Sequence, residues 1–239
     1  MSIGLYLFIV VIFAACLHAS FQLGVSLLTV LSGHSLSKQR SHLRLMHLNF
    51  WYVLGYAFMT FLLSIALVYF VIVLKADQSY IIGLVVASYS VLVGIWMSRY
   101  YFRDRNSTAL WIPRGFARYL QERSSKTRAG SESFVLGCAS ILAELPFIIA
   151  PLSIAAIYIG RQSLNYQLLE ILGYTIIATL PLLIIFVLIG GGHKISRIQS
   201  WREQNRRFLQ QAAALGLIVL GICLFTVQIN AISLGSNVL

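Results

Sequence analysis

The sequence is poor in charge, since Asp, Glu, Lys and Arg make up only 10% of its 239 residues. An ordinary soluble domain carries about 25% charged residues. Hydrophobic residues make up 59% of the chain, and the mean hydropathy is +0.82. This composition excludes an ordinary soluble domain and a disordered chain, because both need more polar surface. The chain is therefore predicted to be an integral membrane protein.

Cysteine is also scarce, and the three cysteines, Cys16, Cys138 and Cys223, do not form a CxxC pair. This excludes a secreted disulfide scaffold, which is dense in cysteine. Cys16 and Cys138 lie in two different predicted membrane spans, the first and the fourth, which are described below. Their positions along these spans place the two Cα atoms at membrane depths that differ by on the order of 10 Å. A disulfide needs Cα atoms about 4.4–6.8 Å apart, so we do not expect these two cysteines to pair.

The sequence contains no HExxH motif, no cluster of carboxylates and no loop that could cradle a phosphate. These are the short motifs that most directly indicate metal-dependent or nucleotide-dependent chemistry. We therefore expect neither an enzyme nor a bound cofactor.

Long apolar runs dominate what is present. Six segments approach or exceed the length of about 20 residues that a membrane-crossing helix needs. They cover residues 3–31, 48–74, 80–97, 134–160, 166–190 and 208–231. Helices are expected because every backbone N–H and C=O in lipid must be paired within its own segment. The first segment has no basic residues before it and is too long for a signal peptide, so it is interpreted as a helix.

The basic residues are distributed unevenly among the connections. All but Lys75 and Arg161 of the 18 Lys and Arg residues fall in connections 32–47, 98–133 and 191–207. The positive-inside rule places these connections in the cytoplasm, so both termini are predicted to lie outside. The net charge of +11 is then a topology signal that favours anionic lipid headgroups, rather than nucleic acid, as partners. We expect a multi-pass protein of the cytoplasmic (inner) membrane.

The long basic connection divides the chain into two groups of three helices. The predicted units are 1–102, a linker 103–133 and 134–239. Because each half has an odd number of spans, the halves enter the membrane in opposite directions, as in an inverted repeat. The predicted fold is an all-α integral membrane protein with six transmembrane helices in two inverted three-helix halves. In the linker, residues 110–120 separate apolar from basic residues at helical spacing, which fits either an interfacial helix or a solvated connector.

Two ionisable residues lie near the middle of predicted spans, Glu144 in 134–160 and His18 in 3–31. Ionisable groups inside a membrane are costly and mark functional sites by default. In an inverted repeat the first and fourth helices are equivalent, so the two side chains are expected at similar depth. We predict that they approach each other or share a polar cavity that binds or passes a proton or cation. The alternative is structural, with each group satisfied by a neighbour.

Two prolines, Pro146 and Pro151, follow Glu144 in the same predicted helix. A proline inside a helix frees the carbonyl four residues earlier, here those of Leu142 and Phe147. Freed carbonyls can line a cavity or coordinate a cation, as in the broken helices of transporters. The alternative is a kink that only shapes packing.

Three further polar residues are candidates. Gln22 lies one turn after His18, where it can join the same site or hold helices together by hydrogen bonds. His34 and His193 each follow a glycine at a predicted cytoplasmic helix end. Glycine suits a helix C-cap and histidine suits the negative helix end, which is a structural explanation. The alternative is a histidine pair that forms a pH gate or a metal site.

The layout of the fourth predicted helix, Leu136-Gly137-Cys138-Ala139-Ser140 followed by Glu144-Leu145-Pro146-Phe147 and Pro151, resembles a known superfamily. This superfamily contains the LysE-type exporters and the CcdA and DsbD electron conduits, which have six spans in two groups of three. The resemblance implies that fold and a transport-like role. In the electron conduits a similar stretch carries a Pro-Cys pair with a partner cysteine in the first helix. Here Phe147 follows Pro146, and no proline flanks Cys16.

Three functions follow as alternatives. The first is a small transporter or exporter of a small solute or ion, with Glu144 binding a proton or cation. The second is a transmembrane thiol–disulfide electron conduit that uses Cys16 and Cys138. The third is a non-transporting membrane subunit that docks a partner through linker 103–133. Small-residue pairs such as Ala139 with Ala143 suit contacts within or between protomers, so a homo-oligomer is also an expectation.

Overall fold

The computed structural model describes residues 3–21, 42–74, 76–100, 122–123, 127, 129–191, 200–201 and 204–233. These residues form six helices and no strand, which confirms the all-α class for the described part of the chain. The helices are α1 (Ile3–Ser20), α2 (His42–Val73), α3 (Ala76–Tyr100), α4 (Gly130–Ile159), α5 (Leu164–Gly190) and α6 (Arg206–Ser233).

Five of these helices, α2 to α6, are long and apolar enough to cross a membrane. In α1 the apolar stretch Phe8–Ser20 is shorter, counted over the described residues only. The chain is thus a multi-pass membrane protein. The six predicted segments fall on the six helices, but the predicted bounds differ from the observed ones. Helix α2 begins at His42 rather than at residue 48, because a helix can continue past the hydrocarbon into the headgroup layer, where hydropathy no longer marks it.

The boundary of the linker also needs correction. Helix α4 begins at Gly130, inside the predicted linker 103–133. Glu132 lies in its first turn, where a carboxylate complements the positive end of the helix dipole. Polar residues at a helix start lower the local hydropathy, so the sequence pattern placed the start of this helix too late. The proposed interfacial helix at residues 110–120 lies outside the described residues.

Helix α4 forms the centre of the bundle. It contacts every other helix, most extensively α2 and then α1. From Phe147 to Ile159 almost every residue of α4 is buried, on all sides of the helix. A helix that is apolar and buried all round occupies the core of a bundle. Helix α3 packs mainly against α6 instead, and large apolar side chains of the outer helices face outwards, as expected for contact with lipid.

Two glycines allow α2 and α4 to approach closely. A Cβ atom on Gly137 would overlap the Tyr52 carbonyl oxygen, and one on Gly55 would overlap the Phe134 carbonyl oxygen. Close backbone contact through small residues is the usual way in which membrane helices associate. The contact is also polar, because Cys138 Sγ donates to the Gly55 carbonyl oxygen at 3.3 Å. The side chains beside this crossing are thereby held at short range.

Candidate functional site

Glu144 lies halfway along α4 and is 1% exposed. The Tyr56 hydroxyl of α2 donates a hydrogen bond to Glu144 Oε2 at 2.8 Å. Glu144 lies two helical turns after Gly137 and therefore on the same face of α4. The close α2–α4 crossing at Gly137 thus brings Tyr56 within reach of the carboxylate.

His18 lies near the end of α1 and is completely buried. Its Nδ1 atom is 3.0 Å from the Tyr174 hydroxyl of α5, a hydrogen bond whose direction depends on the tautomer of the ring. Its Nε2 atom has no hydrogen-bond partner among the described residues. A buried polar atom without a partner is costly, which makes this nitrogen a candidate for transient interactions.

Tyr56 links the two ionisable residues. The centres of the His18 and Tyr56 rings are 6.5 Å apart, and those of His18 and Tyr174 are 5.7 Å apart. His18, Tyr56, Glu144 and Tyr174 therefore form one buried group, here called the central cluster. The structure brings His18 and Glu144 into the same polar region through Tyr56. The functional role of both residues stays a prediction.

The central cluster is part of a longer row of buried polar residues along one face of α2. The row consists of Asn49, Tyr52, Tyr56, Thr60 and Ser64, all at most 3% exposed. Their spacing of three and four residues keeps them on one helix face over about 22 Å, at roughly 1.5 Å per residue. Thr60 and Ser64 each donate to the carbonyl four residues earlier, so their hydroxyl groups are satisfied within the helix. We call this row the α2 polar stripe.

The sequence does not identify the partners of the ionisable residues. Tyr56 and Tyr174 give no signal of their own, because tyrosine is common near membrane interfaces and its position along a span carries little information. The spacing of the α2 polar stripe was a usable signal, since polar residues that recur at helical spacing within an apolar segment mark a face turned away from lipid. Glu170 was also missed, although it lies inside the predicted span 166–190.

Glu170 and Arg161 lie near the turn between α4 and α5. One carboxylate oxygen of Glu170 and one guanidinium nitrogen of Arg161 are buried and have no hydrogen-bond partner within the described ranges. The Arg161 guanidinium lies 5.7 Å from the centre of the Tyr158 ring, which is a cation–π contact. Burial lowers the pKa of Arg161 from its ordinary value. These groups are imperfectly satisfied, in contrast to the Tyr56–Glu144 pair.

The two prolines of α4 lie on different faces of the helix. Pro146 is exposed, as is Leu142, whose carbonyl it frees, so this carbonyl lies on the side opposite Glu144 and does not line the central cluster. Tyr89 of α3 donates instead to the carbonyl oxygen of Pro146 itself at 2.6 Å. Pro151 is buried and lies two turns after Glu144 on the same face. Pro151 thus lies on the same face of α4 as Glu144 and Pro146 does not, and a role of either proline in a binding site stays a prediction.

The candidate redox residues do not form a buried pair. Cys16 is exposed on α1, whereas Cys138 is half-buried at the α2–α4 crossing, and both are free thiols. Cys223 on α6 is likewise free and exposed. This arrangement agrees with the expected lack of a disulfide. It offers no support for electron transfer between Cys16 and Cys138.

Three candidate residues, Gln22, His34 and His193, lie outside the described residues. Within the described ranges there is no group of three or more His, Cys, Asp or Glu side chains that could hold a metal ion. The central cluster offers one carboxylate, one imidazole and two phenols, all of which can donate or accept a proton.

A narrow cleft lies beside the central cluster, between α2, α4 and α5. No part of it is wide enough for a water molecule. The lining residues are Ser64, Val68, Leu152, Ala155, Ala156, Ile159 and Tyr174. Tyr174 is thus shared between the cleft and the hydrogen bond to His18.

The chain matches no protein-family model, no curated protein and no solved structure. The likeness to LysE-type exporters and to the CcdA and DsbD conduits therefore stays a resemblance of layout and of a short stretch in the fourth helix.

Proposed function

We propose that the chain is a small proton-coupled membrane transporter of a small solute or ion, and that the central cluster is its proton-binding site. The observation that carries this proposal is the buried pairing of Glu144 with Tyr56 and of His18 with Tyr174. Each pair joins one ionisable residue to a phenol on another helix. A buried carboxylate and a buried imidazole are the two groups best suited to gain and lose a proton inside a membrane protein.

The helix contacts support an arrangement in two inverted halves. Exchange of the halves replaces α1 by α4, α2 by α5 and α3 by α6. Under this exchange the α2–α4 contact corresponds to the α1–α5 contact, and the α3–α4 contact corresponds to the α1–α6 contact. All four contacts are present. The contacts α1–α4, α2–α5 and α3–α6 map onto themselves and are also present. Apart from the α4–α5 and α4–α6 contacts, the helix contacts thus follow the exchange expected of an inverted repeat.

The central cluster follows the same exchange. It relates His18 on α1 to Glu144 on α4, and Tyr174 on α5 to Tyr56 on α2. Each half therefore contributes one ionisable group and one phenol, and the ionisable group of one half bonds to the phenol of the other. Relative movement of the halves changes both hydrogen bonds together. This is the property that an alternating-access transporter needs in its coupling site.

The proposal predicts proton movement that depends on Glu144. The full chain is reconstituted in proteoliposomes that contain a pH-sensitive dye, and a panel of amino acids and of monovalent and divalent cations is added. We expect at least one solute to drive a change in internal pH, and Glu144→Gln to lower its rate about tenfold or more, the scale on which loss of a proton-transferring group acts.

Glu132 provides the matched control, because it is the other acidic residue of α4 and is exposed at the start of the helix. Glu132→Gln should leave the solute-driven pH change intact. A rate that stays the same in both Glu144→Gln and His18→Gln would contradict the proposal. So would the lack of a pH response to every solute in a protein that remains folded.

A further inference from the structure

Tyr174 belongs both to the central cluster and to the lining of the narrow cleft. Its hydroxyl lies 3.0 Å from His18 Nδ1, and its side chain lines the narrow cleft between α2, α4 and α5. Tyr174 is completely buried, as is His18, so the cleft and the central cluster meet at this phenol. The cleft also contains Ser64, the last residue of the α2 polar stripe.

The cleft is directed towards one end of the bundle. Its α4 lining runs from Leu152 to Ile159, the last residue of α4, and its α2 lining consists of Ser64 and Val68. Glu144 lies further from this end of α4. The cleft therefore occupies the part of the bundle between the central cluster and the membrane surface at which α2 and α4 end.

We propose that this cleft is the access route by which protons reach the central cluster, with Tyr174 as the group that passes them to His18. The inference rests on the proposed function and adds the path and the side from which the site is reached. Under the positive-inside rule the α4–α5 end of the bundle is the external side, so the cleft connects the site to the outside.

The transfer can be written with all protons accounted for. When the cleft opens to water, a hydronium ion gives a proton to the Tyr174 oxygen as Tyr174 gives its hydroxyl proton to His18 Nδ1. The imidazolium then loses the hydrogen on Nε2 to the Glu144 carboxylate through the Tyr56 hydroxyl. The neutral imidazole that remains carries its hydrogen on Nδ1.

The route is closed in this structure at two points. The cleft is too narrow for water, and His18 Nε2 has no hydrogen-bond partner among the described residues. The groups that face His18 are Tyr174 from α5 and Tyr56 from α2, with Glu144 of α4 behind Tyr56. On α6 the nearby Gly216 contacts Leu17, which is apolar. A transporter must close its site to one side of the membrane, and this arrangement is such a closed state.

Cysteine accessibility tests the route directly. In full-length protein with its three cysteines replaced by serine, Ser64→Cys is compared with Ile65→Cys, the next residue, which is 38% exposed on the outer face of α2. A charged, membrane-impermeant thiosulfonate reagent is added from the side at which α2 and α4 end. A thiol reacts as the thiolate, which needs water, so we expect Ser64→Cys to react about tenfold or more faster than Ile65→Cys. Its modification should stop solute-driven proton movement.

A second cysteine variant keeps the test valid if Ser64→Cys does not fold. Ala156→Cys lies on the α4 side of the same cleft and should react from the same side. Equal rates at Ser64→Cys and Ile65→Cys, or no reaction at either cleft position, would overturn the route. If Glu144→Gln still abolishes proton movement in that case, the proposed function stands and only the route fails. If neither Glu144→Gln nor His18→Gln has an effect on proton movement, the proposed function fails whatever the labelling shows.

Discussion

Tyr56 donates its hydroxyl hydrogen to Oε2 of Glu144 over 2.8 Å and so joins α2 to α4 at the buried centre of the bundle. A carboxyl group in this position cannot be hydrated by bulk water, so loss of the hydrogen bond from Tyr56 is costly. Hydrogen bonds between membrane helices average about 0.6 kcal/mol and reach about 1.7 kcal/mol, since unfolded segments also find partners. The central position of this bond indicates an energy towards the upper end of that range.

A double-mutant cycle measures this bond. Tyr56→Phe and Glu144→Gln are each expected to lower the free energy of unfolding, and the double mutant should lose less than the sum of both changes. The expected coupling energy is about 1 kcal/mol, because Tyr56→Phe removes the hydrogen bond, whereas Glu144→Gln weakens it by taking away the negative charge of the acceptor. Unfolding of the detergent-solubilised protein in increasing SDS provides the measurement.

Tyr89 offers a matched control for that cycle. It also donates a hydrogen bond to α4, but to the Pro146 carbonyl oxygen on the exposed face. Tyr89→Phe combined with Glu144→Gln should be additive to within about 0.5 kcal/mol, because the two sites share no partner. A coupling as large as that of Tyr56 would mean that the effect is a general property of the α4 surroundings.

The crossing of α2 and α4 predicts a contrast between two glycines. Gly137→Ala places a methyl group against the Tyr52 backbone, so we expect a loss of about 1–3 kcal/mol as the helices are forced apart. Gly173→Ala in α5 meets nothing within 4 Å. It should be neutral or stabilising by up to about 1 kcal/mol, since alanine favours a helix. Thermal unfolding followed by tryptophan fluorescence distinguishes the two variants.

The state of the cysteines can be tested by mass. Cys16, Cys138 and Cys223 are free in the structure, so alkylation of the unfolded protein without reductant should modify all three. Replacement of all three by serine should leave solute-driven proton movement at least half as fast as in the parent protein. A protein that takes up only one alkyl group, or whose proton movement ends with the serine replacements, would favour a thiol redox role.

The sequence was sufficient to predict the helices because the hydrocarbon core selects long apolar segments, whatever their detailed packing. The same rule explains the errors at α2 and α4. His42 and Gly130 begin these helices among polar residues, where hydropathy is low but the backbone remains helical. Length and composition thus predict which segments cross the membrane better than they predict where the helices begin.

The ionisable half of the central cluster was predictable from the sequence, since Glu144 and His18 are rare residue types inside spans. Their phenol partners were not, because the choice of Tyr56 and Tyr174 depends on which helix faces which. That pairing is set by the tight α2–α4 approach at Gly55 and by the corresponding α1–α5 contact, neither of which sequence spacing determines. The exposed position of Pro146 likewise follows from the rotation of α4 about its axis.

The carboxylates of Glu144 and Glu170 should respond in opposite directions to the same substitution. Glu144 accepts a hydrogen bond from Tyr56, whereas one buried oxygen of Glu170 has no hydrogen-bond partner in the part of the chain that the structure describes. Glu170→Gln removes a charge that the fold satisfies incompletely and should raise the free energy of unfolding by up to about 1 kcal/mol, since an unsatisfied buried polar atom is destabilising. Glu144→Gln should lower the free energy of unfolding.

Unfolding of both variants and of the parent protein in SDS shows whether each substitution raises or lowers the free energy of unfolding, and the proteoliposome assay measures the proton movement of each variant. A loss of proton movement in Glu170→Gln as large as in Glu144→Gln would contradict the assignment of the proton site to the central cluster and shift it towards the α4–α5 turn.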